Sequence, residues 1–247
     1  MADAALMPTV LPRAFETEEA KRRYVRGLFA TIADRYDLIT RLLSYGMDQR
    51  WKRRLIRLAA ATSGTRALDL ACGTGDIGFA LGDRGARVTG LDVTHRMLQL
   101  ARGKRRAAAA NVQLVTGDMM ALPFPDGSFD LITTGYGLRN VPRIEPAIAE
   151  MRRVLRPGGV VLSLDFNRPD NALLRRFYLA YLTVVGSTLG WVLHRDPDTY
   201  RYIPESIRRY PGARAVAVLM EQHGFVDCRV EPLLGGLMAI NSGHIPA

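Results

Sequence analysis

The run Ala67-Leu-Asp-Leu-Ala-Cys-Gly-Thr-Gly-Asp76 carries an apolar stretch into an acidic Gly-x-Gly turn, and a helix-like segment, Ile77 to Asp83, follows it. A parallel strand delivers a nucleotide-like ligand to a helix N-terminus in this way. Gly73, Gly75 and Gly78 also satisfy the G-x-G-x-x-G spacing of a dinucleotide site. Asp69 and Asp76 argue against that reading, because a carboxylate beside a pyrophosphate repels it. S-adenosylmethionine, with its ammonium and sulfonium, is drawn to acids at the same turn. Asp69, Gly73 and Gly75 are therefore expected to hold S-adenosylmethionine.

More acids recur at the ends of later strand-like runs. Asp92 stands seventeen residues after Gly75, where a carboxylate accepts both hydroxyls of a ribose. Met97 is placed to pack on an adenine face, and equally to serve as core. Gly117-Asp118-Met119 puts a carboxylate where it can accept from the exocyclic amine of adenine. Thr133-Thr-Gly-Tyr-Gly-Leu-Arg-Asn140 closes the fourth strand-like run, so Arg139 and Asn140 are expected at the point of chemistry. Their bland reading is a helix cap with a surface arginine. The segment lacks the Asn/Asp-Pro-Pro-aromatic tetrad of enzymes that methylate the amino groups of nucleic acids. It also lacks the paired cysteines used to methylate pyrimidine carbons.

Alternating periodicities supply the elements that position these residues. Residues 1–15 read as a mobile tail, and Glu16–Ala60 as helices. Strands are expected at Arg66–Ala71, Arg87–Leu91, Val112–Thr116, Phe129–Thr134 and Val160–Phe166. Helices are expected at Thr94–Arg106, Ile144–Val154 and Ala213–His223, with last strands near Val226–Pro232 and Gly236–Asn241. This alternation is that of an α/β protein: a Rossmann-like, doubly wound sheet with N-terminal helices and an apolar helical insertion before the last two strands. Residues 1–60 are expected to form a tail and helical cap, and 61–247 the catalytic domain, its insertion spanning about 170–210.

The chain of 247 residues carries a formal charge of +10, nearly all from arginine, since lysine occurs only at 21, 52 and 104. Arg50–Arg57 and Arg102–Arg106 are dense basic runs suited to anionic lipid or RNA. Phe177–Leu193 runs seventeen residues without a charge, too short and too rich in glycine for a spanning helix. It reads as an apolar cap over a hydrophobic substrate, which RNA has no use for, so no nucleic-acid partner is expected. The two cysteines and four scattered histidines give no disulfide framework and no metal site. The N-terminus lacks the pattern of a signal peptide, so the expected location is the cytoplasm, peripheral at the inner membrane face.

With Gly137-Leu-Arg-Asn140 in view, the chain from Tyr24 onward resembles the ubiquinone/menaquinone biosynthesis C-methyltransferase family of class I S-adenosylmethionine enzymes. Tyr36–Trp51 looks like the first family signature, Arg153–Asn167 like the second, and Tyr200–Ile207 is similar to the segment that follows the apolar insertion. The resemblance implies carbon methylation of a reduced prenylated quinone ring, of demethylmenaquinol or methoxy-benzoquinol type. The alternative is another aromatic or polyketide-like small molecule. It adds Thr74 and Gly135 to the cofactor set. On this reading Arg139 stabilises a phenolic oxyanion, Asn140 and Tyr136 orient the ring, and Asp165 is a candidate proton acceptor. The expected partners are a lipid-soluble quinol, a membrane face and a second copy of the chain. The chain departs from the usual pattern at Thr40, Asp48, Gly135, Asp165, Asn167 and Asn241. Those departures are expected to cluster on the acceptor side.

Overall fold

The computed structural model describes residues 10–44, 46–104 and 111–247. Its centre is a seven-stranded sheet of order β3-β2-β1-β4-β5-β7-β6. The strands are β1 (Arg66–Leu70), β2 (Arg87–Asp92), β3 (Val112–Thr116), β4 (Phe129–Gly135), β5 (Leu155–Phe166), β6 (Val226–Leu233) and β7 (Met238–His244). β7 pairs antiparallel with β5 and β6, while the pairs among β1 to β5 are parallel. The chain winds outward from β1 to β3, then crosses back to β4. The order thus reverses between β1 and β4, and a ligand crevice opens at such a reversal.

Ten helices surround the sheet among the described residues: α1 (Val10–Arg13), α2 (Glu18–Ile32), α3 (Tyr36–Leu43), α4 (Asp48–Ala59), α5 (Asp76–Gly82), α6 (His95–Gly103), α7 (Ile144–Val154), α8 (Ala172–His194), α9 (Asp198–Arg209) and α10 (Ala213–Gln222). Local signals account for several of their ends. Thr17 caps α2 by accepting from the Ala20 N–H at 3.1 Å, with Glu18 and Glu19 in the first turn. Asn171 caps α8 by accepting from Leu173 and Leu174. Leu68, Leu70, Leu131 and Ile132 are almost fully buried, as strands covered on both faces require.

The expected order of elements holds, with shifts at some ends. β5 starts at Leu155, because Leu155-Arg-Pro-Gly-Gly159 is already extended and its edge is irregular opposite Phe129 and Leu131. β7 runs to His244, two residues later at its start and three at its end than expected, since its register with β5 pairs Phe166 with Met238 and Val160 with His244. The helix expected over Thr94–Arg106 spans His95–Gly103, and Arg105 and Arg106 lie outside the described residues. The tail expected to be free through residue 15 is anchored at its end. Ala14 is buried, and the Phe15 ring stacks on Tyr202 at 5.8 Å under the guanidinium of Arg209.

Candidate active site

At the β1/β4 reversal lies a cleft of about 730 Å3 lined by Gly73, Asp92, Met97, Asp118, Met119 and Gly135, with Arg22, Val25 and Phe29 from α2 as its roof. The Asp92 carboxylate ends β2 and is held by two backbone donors. Gly73 N–H reaches Oδ2 at 2.9 Å, and Thr94 N–H reaches Oδ1 at 2.7 Å. Each oxygen keeps a further lone pair for a ligand hydroxyl. Asp118 accepts from the Met120 N–H at 2.9 Å, and its other oxygen faces Arg22 at 3.6 Å. Asp69 is more deeply set: it accepts from the Gly78 N–H and from the Thr133 hydroxyl, both at 2.9 Å. Burial pushes the Asp69 carboxyl up to about 7 and raises Asp92 as well. Asp92 and Asp118 thus line the cleft and Asp69 the smaller cavity beside it, and burial discourages charge on Asp69 and Asp92. This donor set fits S-adenosylmethionine and not a pyrophosphate.

The glycines of the turn have separate reasons. Gly75 adopts φ +86°, and a Cβ there would strike the Phe79 ring at 2.5 Å. At Gly135 a Cβ would meet Ile77 Cδ1 at 2.7 Å, so Ile77 occupies the space that a serine side chain would need. Beside the turn, a smaller cavity of about 330 Å3 is lined by Lys52, Asp69, Gly73, Thr74, Asp76 and both Tyr36 and Tyr136. Here the structure revises the meaning of the basic runs. Lys52, from the run expected to face lipid, is buried and reaches Asp48 at 3.2 Å and Asp76 at 3.0 Å. Lys104 binds the Thr74 hydroxyl at 2.8 Å, Asp76 at 3.2 Å and Asp37 at 2.6 Å. Asp76 therefore serves these two lysines, which hold it well below the usual carboxylate range against the opposing effect of burial. The third lysine, Lys21 of α2, donates to the carbonyls of Arg139 and Val141. Burial, then the charges of Arg139 and Arg209, lower its ammonium to about 8.

A second cavity of about 600 Å3 is apolar and aromatic, lined by Phe29, Ile39, Leu43, Trp51, Phe166 and Tyr202, with Arg139 as its cation. Arg139 is buried in a network. Its Nη1 donates to Asn140 Oδ1 at 2.8 Å and Ser206 Oγ at 3.1 Å, and its Nε lies 3.1 Å from Asp165 Oδ1. Its guanidinium also sits 4.8 Å from the centre of the Phe166 ring. Asn140 is locked in turn, donating to the Tyr136 carbonyl and accepting from the Tyr202 hydroxyl. Asp165 lines none of the cavities described here. Its carboxylate accepts from the Arg139 and Phe166 N–H groups and pairs with the guanidinium, which makes it the counter-charge of Arg139.

Tyr36 and Tyr136 line all three cavities and stand where they meet. Tyr136 sits at φ +62°, a strained backbone for a tyrosine, and its buried hydroxyl has no partner among the described residues. Burial raises both phenols. The role of Tyr36 at this junction was not drawn from the sequence; the signal was its position at the head of the first signature segment. Arg22 carried no signal in the sequence, and Lys52 and Lys104 were hidden in basic runs that read as surfaces for anionic lipid or RNA.

The departures expected to cluster at the acceptor divide differently. Thr40 lines the aromatic cavity and Gly135 the cleft. Asp48 pairs with Lys52, while Asn167 and Asn241 fasten the start of α10, one accepting from Ala213 N–H and the other donating to Ala213 O. Four of the six, Asp165 included, thus shape supports instead of acceptor walls.

Comparison with known proteins agrees with this geometry. A demethylmenaquinone methyltransferase of Thermus thermophilus is 42% identical over 221 residues, covering 89% of this chain and 100% of that one. A ubiquinone/menaquinone biosynthesis C-methyltransferase of Teredinibacter turnerae is 40% identical, covering 93% and 95%. Among solved structures, a SAM-dependent methyltransferase from Thermotoga maritima matches with a TM-score of 0.63 at 18% identity, over 89% of this chain and 99% of that one. That likeness is one of fold. A family model, the ubiE/COQ5 methyltransferase family, matches residues 17–245. On these grounds the chain belongs to the ubiE/COQ5 methyltransferase family.

Proposed function

We propose that this methyltransferase transfers the methyl group of S-adenosylmethionine to a ring carbon of a reduced prenylated quinone, of demethylmenaquinol or methoxy-benzoquinol type. The observation that carries the reading is the junction at Tyr36 and Tyr136, where a cleft walled by acids opens into an aromatic cavity holding one buried arginine. When bound, S-adenosylmethionine supplies an electrophilic methyl group. Asp92 is suited to the ribose hydroxyls and Asp118 to the adenine amine, with Met97 and Met119 packing on the base. Asp69, Gly73, Thr74, Gly75 and Gly135 shape the methionine end.

The acceptor ring becomes nucleophilic at carbon as a phenolic hydroxyl loses its proton. Arg139 is preorganised by Asp165, Asn140 and Ser206 to face the oxyanion in a dry cavity, where its charge is worth more than in water. Tyr136 and Asn140 fix the ring, and the walls of α2, α3 and α9 exclude water. The proton on the methylated carbon then passes to the ring oxygen, which restores the aromatic quinol, so the one proton released per methyl transferred is the phenolic proton lost at the start. The division into a helical cap over residues 1–60 and a catalytic domain over 61–247 belongs to this reading, as does a cytoplasmic setting. The test is transfer of label from S-adenosylmethionine to chemically reduced demethylmenaquinone and its benzoquinol counterpart. Label in the ring is the expected result; none, from protein shown calorimetrically to bind S-adenosylmethionine, overturns the acceptor assignment.

A further inference from the structure

We propose that the outer face of α8 docks on an anionic lipid bilayer, and that the cavity beneath it is the passage through which the acceptor's prenyl tail enters. The tail passage rests on the quinol reading above; the docking face does not. α8 is 23 residues long and contains no acid. Leu173, Phe177, Val184 and Trp191 are each about two-thirds exposed, at 67%, 71%, 66% and 66%. At 3.6 residues per turn these four lie within about 40° of one another, a single stripe roughly 30 Å long. Large apolar side chains on soluble proteins are usually scattered, and a contiguous row marks a contact surface.

The stripe cannot turn inward. On the opposite side of α8, Gly186 and Gly190 seat the helix on the α9 segment. A Cβ there would come within 3.2 Å of the Tyr200 carbonyl oxygen and 2.4 Å of the Asp196 carbonyl oxygen. Length and composition alone would let α8 cross a membrane. Its glycine seat on α9 instead holds it flat, as an interfacial helix lies.

Charge selects the occupant. Arg168, Arg176 and Arg195 near the ends of α8, and Arg41 beside the exposed Leu38 and Leu42 of α3, are exposed and make no ion pair among the described residues. Of the nearby acids, Asp170 pairs with Arg214, Asp198 with Arg201 and Asp37 with Lys104, while Asp196 is turned back onto the Asp198 N–H and the Thr199 hydroxyl. A two-fold contact along this stripe would bring unpaired arginines together with Asp196 as the one nearby carboxylate not already in an ion pair among the described residues. Anionic headgroups answer the three arginines near the ends of α8. The apolar stripe also continues into the site. A cavity of about 730 Å3 walled by Phe177, Tyr178 and Tyr181 shares Leu43, Ser44, Trp51 and Phe166 with the aromatic cavity that holds Arg139.

The test exploits the two tryptophans, one buried at 5% exposure (Trp51) and one on the stripe at 66% (Trp191). With phosphatidylglycerol/phosphatidylcholine vesicles, Trp191 emission should shift to the blue and be quenched by lipids brominated in their tails. The variant Leu173→Glu/Val184→Glu changes only outward side chains that line no cavity described here. It should cut the vesicle-bound fraction about tenfold, through lost apolar burial and added anionic charge. Its methylation of a short-tailed, water-soluble quinol should equal that of the unaltered protein, while methylation of a long-tailed quinol in vesicles falls about tenfold with the docking. Equal vesicle binding by both proteins overturns the proposal. So does a dimer, seen by sedimentation velocity, that the variant dissolves in protein that never binds vesicles. If neither quinol is methylated by the unaltered protein, the quinol reading fails, and the vesicle arms still decide the docking face.

Discussion

The cleft proposed for the cofactor and the aromatic cavity proposed for the acceptor share Phe29, Tyr36 and Tyr136 and no other lining residue. The cleft is built from backbone: Asp69, Asp92 and Asp118 each take their orientation from N–H groups one to a few residues beyond a strand end or across the turn. The acceptor cavity is built from side chains carried by helices far apart in sequence. Its arginine depends on Asp165, 26 residues away, and Ser206, 67 away. Backbone frameworks tolerate change in the side chains around them. A network of buried side chains has no such reserve, because losing one partner leaves another charged and unanswered. The two halves should therefore break differently.

The largest effect is expected at Asp165. Replacing it with Ala leaves Arg139 buried without its counter-charge, and stability should fall by about 3–5 kcal/mol in urea unfolding. A paired Asp165→Leu/Arg139→Met variant should recover most of that stability yet no turnover. Recovery of both would mean that the pair is structural alone. Next, Arg139→Ala should lower turnover by about 10²–10³-fold while S-adenosylmethionine affinity stays near that of the unaltered protein. Equal loss of binding and turnover would erase the distinction between the halves.

On the cofactor side, Asp92→Ala should weaken S-adenosylmethionine by roughly 1–3 kcal/mol in calorimetry with unfolding unchanged. A pH series sharpens the same point. Asp69 is held near 7, so below that value it is largely protonated in the empty protein, and a cationic ligand gains from its ionisation. Affinity should rise as pH goes from 6 to 8, with protons released on binding and a heat that varies with the buffer's own ionisation. A flat profile would remove Asp69 from the electrostatics of the cleft. The smallest change is Gly135→Ser, expected to cost about 1–3 kcal/mol by overpacking Ile77 and to be eased by adding Ile77→Val.

What could be read in advance follows the same divide. The strand ends and the acids of the cleft lie within one stretch from Asp69 to Met119, and each is announced by a turn or a strand terminus, so periodicity and spacing located them. Arg139 and Asn140 were legible because they follow β4 directly. The partners of Arg139 were less so: Ser206 and Tyr202 come from α9, in the Tyr200–Ile207 segment that the resemblance marked without assigning its residues a role. Periodicity also cannot tell an inward lysine from an outward one, which is why the 50–57 run read as a basic patch for anionic lipid or RNA although Lys52 is buried. The ends of β5 and β7 shifted for a comparable reason. Their limits are set by cross-strand register, a property of two segments at once.

All three lysines of the chain are engaged beside the site: Lys52 lines the smaller cavity, Lys104 holds Thr74 and Asp76, and Lys21 holds the carbonyls of Arg139 and Val141, while the remaining cations are arginines. Apart from the chain's own α-amino group, the protein therefore offers its surroundings almost no free primary amine. Amine-directed acylation should leave the outer surface nearly untouched. The reagent would report on the opening of the cleft, with Lys104 and Lys21 labelled first and Lys52 last. Coupling the enzyme to a support through its amines would engage either the α-amino group or the lysines that brace the site.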